Sequence, residues 1–222
     1  DTDRQVIEDV LGQVFDIIRR DLPDSSLATP MYMVVEKILA LGEDLPPQWP
    51  VHGTTGYEFL NQLNGIFIER ESRTVFDTIY DRFTGVHERY ADLANSTRKM
   101  VMLVSLPGEI NGLAHRLKRL ASRDRRYRDF TLNALTFAVR ELIACLPVYR
   151  TYIDPDAGTV SDQDSRVIDL GTAEVKHRNP RTDPTIFDFI RDQVLGTSSE
   201  LPDPERMAFV AGFHQVSGLV MA

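Results

Sequence analysis

The stretch Met31–Asn61, "MYMVVEKILALGEDLPPQWPVHGTTGYEFLN", decides how the rest of the chain is read. An apolar run, Met31 to Val35, is interrupted by Glu36-Lys37 and resumes as Ile38-Leu39. A proline-rich passage and the turn Gly53-Thr54-Thr55-Gly56 follow before any periodicity returns. Branched and apolar residues without helical spacing predict a strand over Tyr32–Ile38. Two readings account for a carboxylate at its end. Glu36 leaves the core there and pairs with Lys37 or another neighbour, which is the simpler reading. Alternatively it is delivered to a site, as happens at the strand ends of parallel α/β barrels.

On either side of this strand the pattern is helical. Val6, Ile7, Val10, Leu11, Val14, Phe15 and Ile18 recur at helix spacing, with Thr2 and Gln5 in capping-box form. Thr55 and Glu58 have the same form ahead of a face marked by Phe59, Leu63, Ile66 and Phe67. Val75, Phe76, Ile79, Tyr80 and Phe83 continue it. Tyr90, Leu93, Thr97 and Val101 make the next stripe, which Pro107-Gly108 breaks. Ile110, Leu113, Ala114, Leu117 and Leu120 form another, then Leu132, Leu135, Val139, Leu142 and Ile143, closed by Pro147. "YIDPDAGTVSDQD" (152–164) is a loop in which Ser161 and Asp164 cap a helix running towards Lys176. Helices around Thr185–Leu195 and Pro204–Val220 complete a mainly α, multi-helix domain with one short stranded fragment.

The 222 residues are 42% hydrophobic and 26% charged, a globular composition. A net charge of −8 argues against a general nucleic-acid or anionic-membrane binder. The single cysteine, Cys145, forms no internal disulfide, which fits a reducing, cytoplasmic setting. No run approaches the roughly 18 apolar residues of a membrane span. An Asp at position 1 and the apolar end "MAFVAGFHQVSGLVMA" lead us to expect a piece of a larger protein.

Few residues suggest chemistry by pattern. The run "HRLKRLASRDRRYRD" (115–129) carries seven Lys/Arg, but Tyr127 is its one aromatic and Leu117 and Leu120 turn its charges outward. A solvated face, or ion pairs with the acidic excess, is favoured over nucleic acid. The five histidines show no metal-ligand spacing, and His52 beside the glycine turn is retained as a site candidate. Tyr149, Arg150 and Tyr152, just after a helix ended by proline, suit sugar stacking and interhelical packing equally.

Taken together, "VVEKIL" (34–39), "GEDLPPQWPVHGTTGYEFLN" (42–61), "YDRFTG" (80–85) and "EINGLAHRL" (109–117) resemble the maltooligosyl trehalose synthases of the α-amylase family of glycoside hydrolases. So do "RDRRYRDFTLNAL" (123–135), "ELIACLPVYRTY" (141–152), "DPTIFDFIRDQVLG" (183–196) and "HQVSGLVMA" (214–222). The resemblance covers most of the chain from Met31 on. It implies that residues 1–50 are a helix, strand and loop derived from a (β/α)8 barrel, and 51–222 its helical insertion. It also implies that Glu36 is the general acid/base, with Lys37, His52, Tyr57, Asn61, Tyr149, Arg150 and Tyr152 as candidate sugar contacts. The substrate would be a maltooligosaccharide, no metal or redox cofactor would be needed, and the partner would be the rest of the parent barrel. Two departures matter: residues 1–30 hold no counterpart of the family's nucleophilic aspartate, and its third carboxylate would lie beyond Ala222. The chain alone is therefore expected to be inactive, with Glu36 in a rearranged segment. Glu58 stands where an aspartate is more usual.

Overall fold

The computed structural model describes residues 9, 12–13, 16–17, 20, 32–40, 42–47, 49–154, 160–196 and 203–221. The chain divides into two compact units, Asp1–Asn61 and Gln62–Ala222. The expected Thr2–Gln5 cap, the stripe from Val6 to Ile18 and the loop residues 155–159 lie outside the described residues. Asp9, Gly12, Gln13, Asp16, Ile17 and Arg20 are helical.

In the first unit, the strand expected over Tyr32–Ile38 shortens to β1 (Val34–Val35). It pairs in parallel with β2 (Gly53–Thr54), Val34 opposite Gly53 and Val35 opposite Thr54. A two-residue partner can hold only a two-residue ladder, which explains the shortening. Nor is the strand buried: Tyr32 and Val34 are exposed. The division between the units falls within α1 (Glu58–Gly65). Thr55 does not cap it, because the helix starts at Glu58 and the Thr55 hydroxyl faces the Val35 carbonyl at 3.5 Å.

The second unit is helical throughout. A 3-10 turn (Arg70–Ser72) leads into α2 (Arg73–Thr84), which ends at Gly85 with φ +67°. Then come α3 (Tyr90–Val104), α4 (Pro107–Ser122), α5 (Leu132–Ala144), α6 (Asp162–Arg178), α7 (Thr185–Leu195) and α8 (Pro204–Met221). Pro107 occupies the first turn of α4, where its missing N–H costs nothing. The Thr131 hydroxyl accepts from the Ala134 N–H to cap α5, and Ser161 caps α6 by accepting from the Asp164 N–H.

The core forms around α5, which packs against α3, α4, α6 and α7, while α8 lies on α4 and α7. Leu117, Leu135, Leu142, Ile143, Ile168, Phe187, Ile190, Phe209 and Phe213 are fully buried there. Each such side chain contributes about 1.5–3 kcal/mol of transfer free energy.

Two expected stripes are not core. On α3 the inward face is Asn95 and Met102, and Tyr90, Leu93 and Thr97 face out. The reason is polar. Asn95 Nδ2 and Arg98 Nη1 donate to the Ala144 carbonyl at 3.2 and 3.1 Å, satisfying the carbonyl end of α5. Lys99 meanwhile pairs with the buried Glu141 at 2.5 Å. On α1 and α2 no residue is buried: Phe59, Phe67, Phe76, Ile79, Tyr80 and Phe83 are exposed.

The basic run is occupied by carboxylates. Arg116 and Arg119 reach Glu205, Arg123 reaches Asp203 and Arg126 reaches Asp124, while Lys118 donates to the Arg128 and Phe130 carbonyls. Among the described residues no helix is long and apolar enough to cross a membrane.

Candidate functional site around Glu36

The end of β1 presents Glu36 outward and Lys37 inward. Glu36 is exposed, and its carboxylate makes no hydrogen bond or ion pair among the described residues. Lys37 is 2% exposed, with its ammonium 2.5 Å from Glu43 Oε1. Of the partners the simpler reading offered Glu36, Lys37 is taken: Glu43 holds its ammonium. Glu43 Oε2 also accepts from the Ala40 N–H at 2.9 Å, tying the segment after Lys37 to the same carboxylate.

The glycine turn also holds this segment. Thr54 Oγ1 accepts from the Lys37 N–H at 3.1 Å and from the Gly56 N–H at 3.1 Å, and donates to the Lys37 carbonyl at 2.6 Å. A Cβ at Gly56 would lie 2.7 Å from that carbonyl oxygen, so the approach requires glycine. The ladder continues through the His52 N–H to Met33 O at 2.7 Å and the Thr55 N–H to Val35 O at 2.8 Å.

His52 is exposed; its Nδ1 accepts from the Met33 N–H at 3.1 Å and its ring lies 4.8 Å from Tyr32. An accepting Nδ1 leaves the ring proton of the neutral form on Nε2, a donor. Tyr57 and Asn61 are exposed and sit one turn apart, joined by the Asn61 N–H to the Tyr57 carbonyl at 2.8 Å.

The remaining candidates belong to the second unit. Arg150 lies over the Tyr152 ring at 4.8 Å, and the Tyr152 N–H donates to Asp164 Oδ1 at 3.1 Å. Tyr149 faces Gly218 of α8, where its hydroxyl would be 3.5 Å from an added Cβ. The structure thus gathers Glu36, Lys37, His52, Tyr57 and Asn61 in or next to one unit and Tyr149, Arg150 and Tyr152 in the other.

Sequence reading missed the roles of Thr54 and Glu43. Thr54 and Glu43 act through partners 17 and 6 residues away, pairings that no periodicity encodes. His214 is 4% exposed with Nε2 unpartnered, and burial, aided by the nearby Arg150 charge, pushes it down to about 4 against an opposing pull from Asp164. Its signal was present in the apolar run around it.

No family model matches the chain. The described residues combine a mainly helical fold with a short parallel strand pair and an exposed carboxylate at its end. The solved maltooligosyltrehalose synthase from Arthrobacter ramosus matches 94% of this chain at 25% identity with a TM-score of 0.66. The chain is thus similar to a segment of the maltooligosyltrehalose synthases. DSM5389 glycosyltrehalose synthase matches 90% of the chain at 22% identity and TM-score 0.50, a likeness of fold. A 43-residue stretch is 42% identical to the "Putative maltooligosyl trehalose synthase" of Mycobacterium tuberculosis, 19% of this chain and 6% of that protein. The chain spans 23% of the length of the Arthrobacter ramosus enzyme.

Proposed function

We propose that this chain is the part of a maltooligosyl trehalose synthase that carries the general acid/base, Glu36. The observation behind the reading is Glu36 itself: an exposed, unpaired carboxylate at the carboxyl end of a strand in a parallel pair, within a chain similar to that enzyme over 94% of its length. Parallel barrels place catalytic groups at this end of their strands.

In the parent, Glu36 protonates the leaving glycosidic oxygen while an aspartate from outside this chain attacks the anomeric carbon. Retaining enzymes of this kind hold the two carboxyl groups about 5–5.5 Å apart. Glu36 then takes the proton from the incoming hydroxyl, here the anomeric hydroxyl of the released glucose, so that an α-1,4 link becomes an α,α-1,1 link. His52, Tyr57, Asn61, Tyr149, Arg150 and Tyr152 contact sugar, whereas Lys37, buried against Glu43, supports the strand end. The exposed apolar faces of α1 and α2 pack against the rest of the parent. The isolated chain, lacking the attacking carboxylate, does not turn over.

Incubating the full-length polypeptide with maltopentaose and analysing the products tests this. A non-reducing product ending in trehalose supports the reading. Free glucose and shorter dextrins would make the parent an amylase-family hydrolase with the same glutamate and different acceptor control. No reaction in the full-length protein would leave a helical interaction module in which Glu36 is a strand-end charge.

A further inference from the structure

The geometry points to Thr54, together with Gly56 and Glu43, as a clasp that positions Glu36 for proton transfer. The inference rests on Glu36 being the acid/base. One hydroxyl, Thr54 Oγ1, serves both polar groups of the residue after Glu36: it accepts from the Lys37 N–H at 3.1 Å and donates to the Lys37 carbonyl at 2.6 Å. Its second lone pair takes the Gly56 N–H at 3.1 Å, which fixes the rotamer of the hydroxyl itself. A threonine hydroxyl has one proton and two lone pairs, and all three are in use.

The peptide plane joining Glu36 to Lys37 is therefore held at the Lys37 N–H, and the next plane at the Lys37 carbonyl. Gly56 backs the same carbonyl so closely that a Cβ would stand 2.7 Å from its oxygen. The Lys37 ammonium is anchored by Glu43, with side chains 3% and 7% exposed. Backbone and side chain of Lys37 are thus both fixed, and the direction in which the preceding residue leaves the strand follows. Glu36 has no side-chain partner of its own among the described residues, so its orientation depends on this backbone. A general acid must sit within hydrogen-bond reach of the oxygen it protonates, and a displacement of about 1 Å can cost about 100-fold in rate.

The test uses the full-length polypeptide that carries this chain, with four variants assayed on maltopentaose. Thr54→Val keeps the shape and removes the hydroxyl: kcat falls about 100-fold while KM moves by no more than about threefold. Thr54→Ser restores the hydroxyl and returns kcat to within about threefold of wild type. Thr55→Val, whose hydroxyl faces Val35 at only 3.5 Å, leaves both constants near wild type. Glu36→Gln separates the two claims: if it stays active, the acid/base assignment fails, whatever the Thr54 variants do. If Glu36→Gln is inactive while Thr54→Val keeps kcat within about threefold of wild type, the clasp is overturned. It is equally overturned if Thr54→Ser is as slow as Thr54→Val. Amide hydrogen exchange in the unmodified protein gives a reading that needs no variant to fold: the Lys37 and Gly56 amides are expected to be protected, and exchange of both at the free-peptide rate contradicts the clasp.

Discussion

Protonation of His214 should cost the helical unit stability, and the amount follows from its surroundings. The imidazole is 4% exposed, its Nε2 has no partner among the described residues, and burial with the nearby Arg150 charge lowers its pKa to about 4. An unfolded histidine titrates near about 6.5. The unfolded chain therefore takes up the proton first. His214 contributes its full stability above about pH 6.5, and that contribution is lost as pH falls from there towards about 4. Linkage over those two values gives a loss of about 2.5 kcal/mol between about pH 7.5 and about pH 4.5. Urea unfolding followed by far-UV circular dichroism measures it, with His214→Gln as the reference from which other titrations cancel. The wild-type advantage over the variant should shrink by that amount on acidification, whatever its value at neutral pH. Replacing Arg150 by methionine removes the unfavourable positive neighbour and should reduce the loss. A wild-type-minus-variant difference that is flat to about 0.5 kcal/mol across the range would mean that His214 titrates alike in the folded and unfolded chain.

Lys99→Met leaves the buried Glu141 carboxylate to Asn179, and should destabilise the chain by about 3 kcal/mol in the same unfolding assay. Because the arginines at 116, 119, 123 and 126 already face carboxylates, the chain should show no salt-sensitive binding to DNA or RNA. A dissociation constant near or below about 1 μM that weakens steeply with salt would contradict this.

The helices α4 and α5 were legible because their apolar stripes are their buried faces. Ile110, Leu113, Ala114, Leu117 and Leu120 all point inward, as do Leu135, Val139, Leu142 and Ile143. Pro107 and Ser161 mark helix starts by local chemistry alone. On α3 the same logic chose the wrong face, since Asn95, Arg98 and Lys99 are drawn inward by the carbonyl end of α5 and by Glu141, partners about 40–50 residues away that a period cannot reveal. The apolar faces of α1 and α2 were read as core and are exposed, for a stripe reports a demand for burial and not where it is met. At the candidate site the position of Glu36 was legible from its place after the apolar run. The supports were not: Thr54 was read only as part of a turn, and only pairing across the fold shows it and Glu43 gripping Lys37.

The kcat of Glu36→Gln in the full-length polypeptide acting on maltopentaose decides whether Glu36 is the acid/base. The change removes an ionisable proton and keeps the shape of the side chain, so oligosaccharide binding should persist while kcat falls by at least about 1,000-fold. A variant that binds substrate and keeps more than about a tenth of wild-type kcat would contradict Glu36 as the acid/base.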